Sequence, residues 1–182
     1  MVSAMRKRLI ILLAAVSVWS AGFGQFKPVD AGSAIKFTIQ NFGFDVSGSF
    51  SGLHGTINFD PKNPADAHFD VYIDAATVNT NNSFRDSHLR DECYFDIRKY
   101  PRIRFISTGI SINNNGVLII SGKLTIKNIT KDISFHFAAS FAGDGYIFKG
   151  DFRINRRDFN VGGTSTISNE LEVQLNIAAK KP

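Results

Sequence analysis

The chain is poor in the residues that staple a fold, ligate metals or cross a membrane. Its 182 residues include one cysteine, Cys93, so no internal disulfide can form. Asp91 and Glu92 precede that cysteine, the opposite of the electropositive setting that lowers a thiol pKa. It follows no apolar run, which excludes the acylated cysteine of a lipoprotein. The one tryptophan is Trp19. The four histidines, His54, His68, His88 and His136, fall on separate segments without ligand spacing, so no metal site is expected. No glycine-rich phosphate loop leads into a helix, and no cofactor is implied. Gly48-Ser49-Phe50-Ser51-Gly52 imitates a nucleophile elbow, but its central position is Phe, so no catalytic residue is assigned.

Long apolar runs are confined to Leu9–Val18, shorter than the roughly 18–20 residues of a spanning helix. That run follows the basic cluster Arg6-Lys7-Arg8 and precedes the small residues Ser20-Ala21-Gly22-Phe23-Gly24. The order is that of a secretory signal over Met1–Gly24, leaving a single domain over residues 25–182. The expected address is a periplasm or the exterior. Without the three signal charges, 18 basic residues face 16 acidic ones, a net of +2. No basic run carries interleaved aromatics, so nucleic acid is not an expected partner.

Phenylalanine is abundant: 17 residues. Most lie in short segments that alternate apolar and polar positions, the period of half-buried strands. Ile35, Phe37 and Ile39 form one such face, Phe69, Val71 and Ile73 another, and Ile133, Phe135 and Phe137 a third. Leu171, Val173, Leu175 and Ile177 alternate with Glu170, Glu172, Gln174 and Asn176. Asp60-Pro61 and Gly143-Asp144-Gly145 mark turns, and Asn113–Gly116 predicts a hairpin between Ile103–Ile112 and Val117–Ile126. Glycines at 43, 48, 52 and 55 recur among large apolar residues, as at barrel corners. About eight antiparallel strands of this kind predict an all-β fold, and the glycine corners favour closure into a barrel.

One stretch breaks the alternation. Ser83–Phe105 carries six basic and four acidic residues and reads as a short helix with a charged turn inserted between strands. Ser83 is the expected cap, Asp86 is spaced to pair with Arg90, and Tyr100-Pro101 closes the segment. The order Arg85-Asp86-x-His88-Leu89, Tyr94-Phe95-Asp96-Ile97, Tyr100-Pro101 and Phe105 resembles the signature of the YceI-like family. Gly122-Lys123-Leu124-Thr125-Ile126 through Thr130-Lys131, and Arg157-Asp158-Phe159, supply its second and third anchors. The resemblance runs from about Phe26 to Ala178. Tyr94 replaces a usual Phe, Asn128 and Asn160 replace glycines, and Asn41 stands where many members carry His. Asparagine tolerates left-handed turns best after glycine.

The resemblance implies an eight-stranded antiparallel lipocalin-like barrel around an elongated apolar cavity that takes a polyisoprenoid-type amphiphile, a prenyl lipid or a quinone. Phe37, Phe69, Phe105, Phe135, Phe137, Phe148 and Phe152 are the expected cavity wall. Arg85, Asp86, His88, Arg153, Arg156 and Arg157 are candidates for a polar mouth or for structural bracing, with bracing favoured for the arginines. The rival reading is an envelope stress or interaction protein whose phenylalanines fill the barrel and leave no cavity. An enzyme acting on a bound lipid lacks an evident acid–base pair. One face of the insertion offers a surface for a homodimer, but no residue demands one.

Overall fold

Alternating segments become strands, and the strands close on themselves. The computed structural model describes residues 24–182, so the expected signal, apart from Gly24, lies outside the described residues. The strands are β1 (Gln25–Asn41), β2 (Phe44–Phe50), β3 (His54–Asn58), β4 (His68–Asp74), β5 (Arg102–Ile112), β6 (Leu118–Ile126), β7 (Ile129–Ala142), β8 (Gly145–Asn155) and β9 (Ile167–Lys180). The helix α1 (Ser83–Arg90) lies between β4 and β5. Neighbouring strands pair antiparallel from β3 round to β9, and β9 pairs with β1.

The ring has eight places, as expected, although nine strands fill it. Ile35–Asn41 of β1 pair with β2, whereas Gln25 and Phe26 pair with β3. β2 and β3 thus occupy one place, broken at Ser51-Gly52-Leu53. Beside the break β1 bulges: Val29 faces Ala178 and Ala34 faces Asn176, leaving four residues opposite one. The bulge satisfies the orphaned groups. The Asp30 carboxylate accepts the amides of Gly52 and Leu53 at 3.1 and 2.9 Å, and Ser33 Oγ accepts the Ala178 amide at 2.9 Å.

The interior is packed in one half and hollow in the other. At the end where β3 stops and β4 starts, Phe59 is 2% exposed and meets Phe69, Phe137, Tyr146 and Phe148 edge-on, with centroids 5.2–6.5 Å apart. Such T-shaped pairs add to the energy of apolar burial. Phe26 and Ile57 complete this plug. At the opposite end a second cluster gathers Leu124, Ile126, Phe159 and Val161 beneath Tyr94 and Phe95 of the insertion.

Three local expectations are corrected. Asn82, not Ser83, caps α1: its side chain accepts the Arg85 amide at 3.0 Å from an extended backbone, while Ser83 is already helical. Asp86 and Arg90 do not pair, because both are taken by the segment before the helix. Arg90 donates to the carbonyls of Ala76 and Val78 at 2.8 and 2.9 Å, and Asp86 faces Thr80. Asn160 does adopt the left-handed region (φ 52°), but in the β6–β7 turn Lys127 (φ 56°) carries it instead of Asn128. Lys127 Nζ donates to the carbonyls of Glu92 and Asn160, tying that turn to the insertion.

Candidate functional site

Where the plug ends, the inward side chains of β1, β5, β7 and β8 stop short of one another and leave a chamber of about 470 Å³. That size is ordinary for a pocket holding one small ligand. Period two delivers the wall, since alternate residues of each strand face one side. Phe37 and Ile39 come from β1, Phe105 from β5, Phe135 from β7, Phe152 and Ile154 from β8, and Leu171 and Val173 from β9. These residues are only half-buried although they face inward, because the chamber itself exposes them.

All seven phenylalanines expected in the wall border the chamber, but at two depths. Phe69, Phe137 and Phe148 form its floor and belong to the packed plug, 5–7% exposed. Phe37, Phe105, Phe135 and Phe152 stand higher. Phe135 stacks on Phe152 at 4.8 Å, and Phe105 approaches Phe135 at 5.9 Å. Gly150 lies on β8 beside this wall, where a Cβ would meet the His136 carbonyl oxygen at 2.9 Å and the Phe135 ring at 3.2 Å, so its missing side chain leaves room.

The polar candidates divide sharply. Arg85 borders the chamber, donating from Nε to Thr80 Oγ1 at 2.8 Å and from Nη2 to the Thr80 carbonyl at 2.9 Å. Asp86, buried, accepts from the amide and hydroxyl of the same Thr80. Both residues therefore brace α1 against the segment leading into it. His88 lies exposed at the rim, its ring 4.3 Å from Phe84. Arg156 is buried at the chamber's edge, and its guanidinium donates to carbonyls of Val161, Gly162, Ile167 and Ser168 between 2.8 and 3.0 Å. It organises the β8–β9 loop. Burial, with Arg157 adjacent, holds its pKa below the usual arginine range.

Arg153 and Arg157 do not form a mouth; neither borders the chamber. Arg153 lies between the inward Phe152 and Ile154, so strand parity turns it outward, 3.9 Å from Glu172. Arg157 stays exposed on the turn after β8. Among the described residues no aspartate or glutamate borders the chamber, and Arg85 and Arg156 at its edge are basic. Lys36, Arg104 and Lys149 touch it from outward strand positions.

Sequence reasoning missed Thr80, Phe50, Tyr94 and Phe95, all of which border the chamber. Phe50 and Phe95 meet edge-on at 5.5 Å, joining β2 to the insertion. The alternation Val46, Gly48, Phe50 was the available signal for Phe50. Among the described residues no three His, Cys, Asp or Glu gather closely enough to hold a metal ion.

A closed antiparallel barrel around an apolar chamber, floored by packed aromatics and partly roofed by a helical insertion, defines a lipocalin-like chambered barrel. The model of the YceI-like domain matches residues 26–179, and the chain belongs to the YceI-like family. A UPF0312 protein of Yersinia pestis is 32% identical over 151 residues, spanning 79% of this chain and 78% of that protein. The crystal structure of BcnA from Burkholderia cenocepacia superposes with a TM-score of 0.77 at 22% identity, covering 82% of this chain and 98% of that one. A polyisoprenoid binding domain from Saccharophagus degradans, implicated in plant cell wall breakdown, gives 0.70 at 14% identity, covering 88% and 100%. At these identities the two structures share the fold with this chain.

Proposed function

We propose that this protein is an exported carrier that holds the tail of a polyisoprenoid-type amphiphile, a prenyl lipid or a prenylated quinone, in the barrel chamber for transport or storage. The observation that carries this reading is the hollow half of the barrel: aromatic and aliphatic side chains face inward yet remain half-exposed to an unfilled space. A fully packed barrel has no such space, which counts against the rival reading of a cargo-free interaction protein. The polyisoprenoid-binding domain that shares the fold supports the choice of ligand class.

The energetics suit a carrier that does no chemistry. Burying apolar chain is worth about 0.8 kcal/mol per methylene, so twenty buried carbons give roughly 16 kcal/mol before the costs of ordering and association. The arginines at the edge donate to neutral acceptors; buried Asp86, on the same Thr80 hydroxyl, offsets Arg85, while Arg156 has no ion-pair partner among the described residues. That arrangement favours a head group with anionic or carbonyl oxygens. We read the protein as a binding protein rather than an enzyme, and the basic–apolar–small order of Met1–Gly24 as its export address to the periplasm or exterior.

The test uses a fluorescent prenyl lipid and gel filtration. The wild-type protein retains the probe, and Phe105→Asp, which places a charge on the chamber wall, releases it. Phe137→Asp falls in the plug and is expected to unfold the barrel, so Phe105→Asp is the informative variant. A folded Phe105→Asp protein that still carries the probe would overturn the proposal.

A further inference from the structure

Three large apolar side chains stand exposed at the open end of the barrel: Phe42, Phe44 and Phe84, at 73, 77 and 73%. The fold brings their segments to one place. Phe42 sits in the β1–β2 turn and Phe44 directly follows it, and Phe84 lies in the first turn of α1 on the chamber's edge. Ser49 of β2 forms an antiparallel bridge with Asn79, so the chain enters α1 from beside β2. Val46 and Phe50 border the chamber and Gly48 faces the Phe37 ring, so Phe44 continues this inward column one step beyond the cavity.

Phe42 is costly where it stands. Its φ is 52° and that of Gly43 is 81°, a pair of left-handed residues in a two-residue hairpin turn. Such turns favour Asn-Gly, and a bulky residue at positive φ is strained. Phe42 and Phe44 enter no aromatic pair among the described residues, and Phe84 meets only the exposed His88. An outlier of this kind points to a role outside the fold.

We propose that this rim is a membrane-docking surface, with Phe42, Phe44 and Phe84 inserting into the boundary between head groups and acyl chains and setting the chamber mouth on the bilayer. The inference rests on the carrier reading in one respect: a water-insoluble tail must pass between membrane and chamber, and an apolar rim continuous with the chamber wall shields that path. A bilayer suits the site better than a folded partner because the three rings project outward from the β1–β2 turn and the first turn of α1, and Phe84 itself borders the chamber. Of the charged groups at this end, Arg85 is offset by the buried Asp86 on the shared Thr80 hydroxyl, and Arg156 stays basic with exposed His88 at the same rim, which complements anionic head groups. Two acidic groups lie near the rings: Asp45 takes the alternate, outward position between Phe44 and Val46, and Asp86 is buried against Thr80.

The experiment is flotation of the protein, purified from cells expressing the full chain and freed of cargo, with vesicles of phosphatidylethanolamine and phosphatidylglycerol that contain no prenyl lipid. The wild type floats with the vesicles. The triple substitution Phe42→Ser, Phe44→Ser, Phe84→Ser lowers partitioning by about tenfold or more, since each ring loses its apolar insertion. Phe42→Asn separates docking from folding: it weakens flotation yet raises the melting temperature, because Asn suits the left-handed turn. A wild type that stays with the soluble fraction, or a triple variant that floats equally well, overturns the proposal. The vesicles lack cargo, so Phe-dependent flotation by a protein that never retains a prenyl probe would refute the carrier reading alone.

Discussion

The buried Asp86 carboxylate accepts two hydrogen bonds from a single residue, taking the Thr80 amide at 2.8 Å and the Thr80 hydroxyl through the same oxygen. Thr80 in turn receives Arg85, and its neighbour Asn79 exchanges backbone hydrogen bonds with Ser49 of β2. One carboxylate thus links the helix to the barrel wall.

Asp86→Ala leaves the Thr80 amide and hydroxyl without a buried acceptor, at a cost of about 1–3 kcal/mol. Urea unfolding should show this loss. A double-mutant cycle with Thr80→Val should show strong coupling. Additive effects within about 0.5 kcal/mol would show that the two residues act independently.

The two halves of the interior should respond differently to truncation. Phe59→Ala removes a ring packed on all sides and should cost about 3–5 kcal/mol. Phe105→Ala removes a ring that already faces the empty chamber. Its cost should be closer to 1–2 kcal/mol, while probe retention falls. Equal losses at the two sites would mean that the chamber is closed in solution.

Glycine positions offer a geometric test of the ring. At Gly55 φ is 135°, and a Cβ would stand 2.1 Å from the Asp70 carbonyl oxygen on β4. Gly55→Ala must push two paired strands apart and should cost more than about 3 kcal/mol. Gly109 lies at a register shift between β5 and β6 with nothing near its missing Cβ, so Gly109→Ala should stay within about 1 kcal/mol of wild type. Thermal melts of the pair decide the point.

On the outer face, Arg104 clasps Asp70 through Nε and Nη2 at 2.8 and 2.6 Å. The Arg104 hydrogen bond holds the Asp70 carboxyl below the usual carboxylate range, outweighing partial burial. Its folded pKa is therefore lower than its unfolded pKa. The stabilisation is complete above about pH 4 and fades as pH falls through the lowered value. With the two side chains 35 and 49% exposed, solvent screening limits the effect to about 0.5–1 kcal/mol. Arg104→Ala should remove this part of the acid sensitivity in melts between pH 2 and pH 6. An unchanged profile would show that the pair contributes nothing.

Strands were legible in the sequence because a half-buried sheet writes its period into every second residue. Leu171 to Ile177 predicted β9, and Asn113–Gly116 predicted the β5–β6 hairpin. Parity also shows that Arg153, between Phe152 and Ile154, points outward, a signal its grouping with the mouth arginines overrode. What period two does not encode is height along the barrel axis. Phe69 and Phe105 share inward parity, yet one floors the chamber and the other walls it, because shear between strands sets their levels. Capping by Asn82 and the loop wrapped round Arg156 depend on backbone angles and distant partners that no local pattern records. The break between β2 and β3 was hinted at by Gly52, but its satisfaction by Asp30 crosses 22 residues of chain.

The central claim is that the chamber holds a prenyl tail, and native mass spectrometry tests it most directly. The protein is purified gently from cells expressing the full chain, and its organic extract is analysed in parallel. A stoichiometric adduct whose extracted mass is a prenyl lipid or quinone is the predicted result. A clean apo mass, unchanged after incubation with prenyl lipids, would contradict it.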